Sequence, residues 1–113
     1  MISTGHFLYE RMKKMKTTLE DGVLTAYLEG EIDHDAAVNM RRQLDASVQT
    51  VKPRVLCLDF AGVGFMDSSG VGLVMGRYRM MKLLGGSLYV VHIPERIYRI
   101  FAMSGLEGLG VLR

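Results

Sequence analysis

Between Val55 and Phe60 the chain reads V-L-C-L-D-F, and from Ser69 to about Leu84 its apolar residues return at helical steps. The two stretches are joined through G-F-M-D-S-S-G-V-G, Gly64 to Gly72. A nearly continuous apolar run of this length suits a strand covered on both faces, as in a sheet with helical crossovers. A strand feeding a helix through glycines and short polar residues points to an α/β architecture. It also sets Asp67, Ser68 and Ser69 at a helix N-terminus, where free amide N–H groups and the positive end of the dipole meet. A phosphate on one of those hydroxyls is electrostatically well placed, so the segment reads as a regulatory switch.

The flanking sequence fits that architecture. Met15 to Glu20 and Val23 to Glu29 are short strand-like runs separated by Asp21-Gly22, a hairpin turn pair that tolerates positive φ. Gly30 is expected to end the second run. Ala37, Met40, Leu44 and Val48 then repeat at three- and four-residue steps, with Arg41, Arg42 and Asp45 on the outer face. Either Asp33 or Asp35 can cap that helix, and Lys52-Pro53 ends it. In the helix after the serines, Val71, Val74, Tyr78 and Met81 form the expected inner stripe, and Gly72 and Gly76 permit a close backbone approach.

Gly85-Gly86 stops that helix, Ser87 to Ile93 is a further strand, and Pro94 suits the start of a third helix. Ile97, Ile100, Phe101 and Met103 are its apolar set, Gly105 lies past its end, and Val111-Leu112 can begin a final strand. The order β-β-α-β-α-β-α-(β) predicts a single small α/β domain, a mixed sheet packed against helices, with two right-handed parallel crossovers.

Composition narrows the function. The chain has 113 residues, one domain's length, and 49% apolar content is enough for one core. Every long apolar stretch is broken by glycine or charge, so no membrane span is expected. The first ten residues lack the order of a signal peptide, and a cytoplasmic location is expected. Cys57 is the only cysteine, set among aliphatic residues, and reads as a buried core thiol. Residues 1–14 form a basic leader or extension, read as a flexible solvated tail, ahead of a domain over 15–113. The charge before residue 17 is +3 and the remainder sums to −1. That balance, with no aromatic-studded basic stripe, does not suit nucleic-acid binding.

Catalytic readings find little support. G-x-S-x-G is absent around Ser68 and Ser69, and His34 beside Asp33 is a poor base pair because adjacent residues point in different directions. His92 reads as a surface or supporting residue, and His6 falls in the leader. One cysteine and three scattered histidines make no metal-ligand spacing. No G-K-[ST] follows the glycines, so nucleotide cradling is a minor alternative. No enzyme activity, cofactor or metal is expected.

Four segments in order resemble a known family: L-E-G-E-I-D-H at 28 to 34, L-D-F-A-G-V-G-F-M-D-S-S-G-V-G at 58 to 72, G-R-Y-R at 76 to 79 and F-A-M-S-G-L at 101 to 106. The chain is similar to anti-sigma factor antagonists of the bacterial sporulation type, free-standing STAS domains. The resemblance covers the chain from about Met15 to its end. Family members usually continue into a last helix beyond the final strand, whereas this sequence ends at Arg113; residues 1–11 lie upstream of the family's usual start, which makes Met12 or Met15 a candidate natural initiator.

The resemblance implies a protein that, unphosphorylated, captures an anti-sigma factor that is also an ATP-dependent serine kinase, freeing the sigma factor. The kinase phosphorylates the antagonist, which then lets go, and a serine phosphatase restores it. The acceptor, the second serine of D-S-S-G, falls on Ser69. Asp33 and Asp67 match family aspartates expected beside the acceptor. Glu31, His34, Gly64, Met66, Ser68 and Arg77 are expected to join the partner contact from the surface. The free protein is expected to be a monomer. A related regulatory or scaffold module of a stress-response pathway is the alternative.

Overall fold

The computed structural model describes residues 14–113. The leader, apart from Lys14, lies outside the described residues, as does His6. The elements are β1 (Lys16–Glu20), β2 (Val23–Ile32), α1 (His34–Val51), β3 (Val55–Met66), α2 (Ser68–Leu83), β4 (Ser87–Val91), α3 (Glu95–Met103) and a 3-10 turn (Leu106–Leu109). The sheet order is β1-β2-β3-β4, with β1 antiparallel to β2 and both later pairings parallel. The expected order therefore stands. The final strand reduces to a single parallel bridge, Val90 to Leu112.

The β1–β2 turn forms as the Asp-Gly pair requires, with φ of 53° at Asp21 and 80° at Gly22. β2 runs past Gly30, which has φ of 86° and sits inside the strand at a register irregularity instead of ending it. β3 is twice as long as expected and carries two extra residues relative to β2, between Asp59 and Gly62 and between Val63 and Phe65. Beyond Phe60 its buried residues accordingly come at Val63 and Met66, every third position and not every second. Bulges of this kind bend a strand and re-aim its end. At Gly62 the bend is tight: a Cβ there would lie 3.0 Å from the Leu28 carbonyl oxygen.

The core lies between one sheet face and the helices. Leu24, Ala26, Leu28, Leu56, Leu58, Phe60, Leu88 and Val90 are buried on the sheet side, against Ala37, Met40, Leu44 and Val48 of α1. Each fully buried leucine contributes roughly 1.5–3 kcal/mol. Phe60 and Phe101 meet edge to face at 5.4 Å and fasten α3 to the sheet. The opposite face of β3 is only partly covered: Cys57 is half-buried between the fully buried Leu56 and Leu58. The expectations of a strand covered on both faces and of a core thiol are thus corrected by alternation, which turns Cys57 away from the helices.

The α2 inner face is also rotated from the expected one. Its buried residues are Gly70, Leu73, Val74, Arg77 and Met81, while Val71 and Tyr78 are half-buried. Apolar residues occur all round this helix, so periodicity alone leaves its phase open. Gly72 and Gly76 do not face a close neighbour; a Cβ at either would meet nothing within 4 Å. In α3, Ile97 and Phe101 are buried but Met103 is 88% exposed.

Candidate functional site

Two helices begin side by side. Ile32 and Met66 are register partners at the ends of the parallel strands β2 and β3, and the next residue of each strand, Asp33 and Asp67, caps the following helix. Their backbones are nearly superimposable in angle, φ/ψ of −99/−171° at Asp33 and −100/−171° at Asp67. Asp33 Oδ1 accepts from Ala36 N at 2.9 Å, and Asp67 Oδ1 accepts from Ser69 N at 2.8 Å. The Asp67 amide donates to the Ile32 carbonyl at 3.1 Å, tying the second helix start to the end of the first strand. Asp33, not Asp35, is the cap of α1. Two helix N-termini, each with its positive dipole end, thus share one edge of the molecule.

Ser68 and Ser69 open α2; Ser68 is exposed and Ser69 half-buried. The next residue, Gly70, is buried, and a Cβ on it would overlap Met66 Sδ and Cγ, at 2.2 and 2.3 Å. Glycine here lets the helix start sit directly on the strand it follows. The two serines consequently stand at the rim of the groove and not in the core.

Ser69 lines a groove of about 270 Å³ between α1 and α2, together with His34, Val38, Arg41, Gly72, Gly76 and Arg77. Arg77 is 8% exposed, so it is no surface contact residue; its Nε lies 3.0 Å from Asp45 Oδ1 and links the two helices. Neither of these two atoms has an aligned hydrogen bond. Burial pushes the Arg77 pKa below its ordinary value, Asp45 opposes that shift, and nearby Arg41 adds to it. Met66 is likewise buried, at 3% exposure, and packs beneath Gly70 instead of offering a side chain to a partner.

The remaining expected contact residues are exposed but do not converge. His34 shares the Ser69 groove. Glu31 lines a separate recess between the β1–β2 hairpin and α1 with Tyr27, Asn39 and Gln43. Gly64 lines a third recess with Pro94, Glu95 and Arg96 at the start of α3. His92 is well exposed and places Nδ1 2.8 Å from Asp59 Oδ2, supporting the bend of β3, where Asp59 Oδ1 accepts from Ala61 N. Phe65, 47% exposed at the end of β3, belongs to the same rim and was not singled out by sequence. Arg41 read only as part of a polar helix face.

Among the described residues no group of three or more His, Cys, Asp or Glu side chains could hold a metal ion. No described helix is long and apolar enough to cross a membrane.

The chain matches the STAS domain family over residues 14–110. It is 36% identical over 85 residues to the anti-sigma F factor antagonist of Paenibacillus polymyxa, covering 75% of this chain and 73% of that protein. It is 35% identical over 80 residues to the anti-sigma-B factor antagonist of Bacillus subtilis, covering 71% of this chain and 72% of that one. Among solved structures it resembles the anti-sigma factor antagonist SpoIIAA in its unphosphorylated form, with a TM-score of 0.76 and 26% identity over 88% of this chain and 86% of that chain.

Proposed function

The chain belongs to the STAS domain family, and from that premise we propose that it is an anti-sigma factor antagonist switched by phosphorylation of Ser69. The unphosphorylated form captures an anti-sigma factor with serine kinase activity and so releases a sigma factor in the cytoplasm. The kinase then modifies Ser69, the complex separates, and a serine phosphatase resets the protein. The chain supplies a substrate hydroxyl and a docking surface and no catalysis of its own.

The observation that carries this reading is the pair of adjacent helix caps with Ser69 in the first turn of the second. Ser69 is half-buried and lines the groove, and Asp33 and Asp67 cap the two helix starts at the same rim. Phosphate adds about −1.5 to −2 charges at one point. Inside an interface such a dianion must be desolvated or paired, and two neighbouring carboxylates oppose it. Loss of roughly 2–4 kcal/mol, about 30- to 1000-fold in affinity, is enough to release a partner. No rearrangement of the fold is needed.

The test is incubation with the candidate kinase and ATP, followed by mass mapping. Ser69→Ala should lose the modification while still being captured; stoichiometric modification of Ser69→Ala would overturn the assignment. The likeness to a sigma-B factor antagonist supports a second reading, a stress-response switch of the same chemistry. Capture by an anti-sigma factor of one class and not the other decides between them.

A further inference from the structure

We propose that Arg41 is a receptor, within the same chain, for a phosphate carried on Ser69. The proposal rests on the Ser69 reading above and extends it to what holds the phosphate once it is attached. Arg41 lies on α1 in the groove that Ser69 lines from α2, and among the described residues it makes no ion pair. It is exposed and therefore free to move. Arg41 sits two helical turns along α1 from His34, about 10 Å of rise. Side chains on a helix lean toward its N-terminus, which carries a long guanidinium back along the groove in the direction of the helix starts.

The groove itself is short of negative charge. The buried Arg77 guanidinium forms part of its wall, and its Nε has no hydrogen-bond partner although Asp45 is close. The residues that line the groove include two arginines and no carboxylate, and Asp45 stands behind Arg77 alone. Asp33 and Asp67 spend one oxygen each on the helix caps above. Gly72 and Gly76 leave the space between the helices open, since nothing lies within 4 Å of where a Cβ would stand. A phosphate is the group this space lacks: dianionic, with oxygens matched to a forked guanidinium donor. Seated there it joins α1 to α2 and fills the groove, so that the modified form is a settled state and not merely a repelled one.

The test uses the full chain with phosphoserine incorporated at position 69 during synthesis, which does not depend on any kinase. Phosphorus NMR follows the second ionisation of the phosphate, ordinarily near pH 6. In the otherwise unchanged chain it should fall below that value. Arg41→Gln should raise the proton affinity of the phosphate at least about three-fold, and Arg41→Lys should restore most of the difference. The unphosphorylated Arg41→Gln chain should melt as the parent does, because the side chain is exposed. Identical phosphate titrations in the parent and Arg41→Gln would overturn the proposal. Failure of the kinase to modify Ser69 would instead overturn the functional reading and leave this titration standing.

Discussion

Asp33 and Asp67 are the same residue in two copies of one local device. Each follows a parallel strand, each caps the helix that returns from it, and the residues just before them pair across the sheet. The rim that carries Ser69 is therefore fixed by sheet register as well as by helix capping.

Loss of either cap should be measurable as stability. Asp33→Ala and Asp67→Ala should each cost about 1 kcal/mol, visible as a lower urea midpoint with an unchanged slope. The Asn variants should recover most of it, because the amide oxygen still accepts from Ala36 N or Ser69 N. Asn variants that are as unstable as the Ala variants would show that the carboxylate charge, and not the cap, carries the effect.

Gly70 should tolerate no side chain. Gly70→Ala drives a methyl into Met66, which is buried and has little room to retreat. Overpacking of this sort costs about 1–3 kcal/mol. Shortening the opposing side chain in Met66→Ala/Gly70→Ala should give a loss smaller than the sum of the single changes. Strict additivity in a double-mutant cycle would count against the contact.

Ser69→Glu should weaken capture of the anti-sigma partner by at least about 30-fold while leaving the melting temperature within a few degrees of the parent. Ser68→Glu, one residue earlier on the exposed side of the same turn, should weaken it less. Calorimetric titration against the purified partner measures both, and equal losses would remove the special role of Ser69.

Cys57 should react slowly with alkylating reagents and make the fold sensitive to alkali. Burial pushes its thiol above the ordinary value of 9.0, opposed by a hydrogen bond with Thr25 and reinforced by Asp59. The folded chain then holds a proton that the unfolded chain gives up more readily. This contribution is complete below pH 9.0 and is lost as the pH climbs through the folded value. Cys57→Ala should flatten the alkaline limb of a stability profile; an unchanged limb would assign that limb to other groups.

The sequence made most of this architecture legible, because its signals were local. Asp21-Gly22, the α1 stripe from Ala37 to Val48 and the strand-to-helix junction at Asp67 all depend on residues near one another in the chain. What escaped depends on contacts between distant segments. The extra residues of β3 appear only against β2, so Gly30 read as a strand end and the exposure of Phe65 went unseen. The phase of α2 is set by Gly70 against Met66 and by Arg77 against Asp45, neither visible in a helix that is apolar all round. For that reason Met66 and Arg77 passed for surface residues. Ser69, His34, Ser68 and the two caps fall at the helix starts where the sequence places them, because capping signals are local.

The hairpin edge and the short outer strand flank a central pair, β2 and β3, whose ends bear the two caps. Ser69, in the first turn after β3, thus stands over the end of the sheet's central strands and not at its edge. A phosphate on Ser69, as proposed above, changes charge and contacts at that one point, and its removal asks no refolding of the chain.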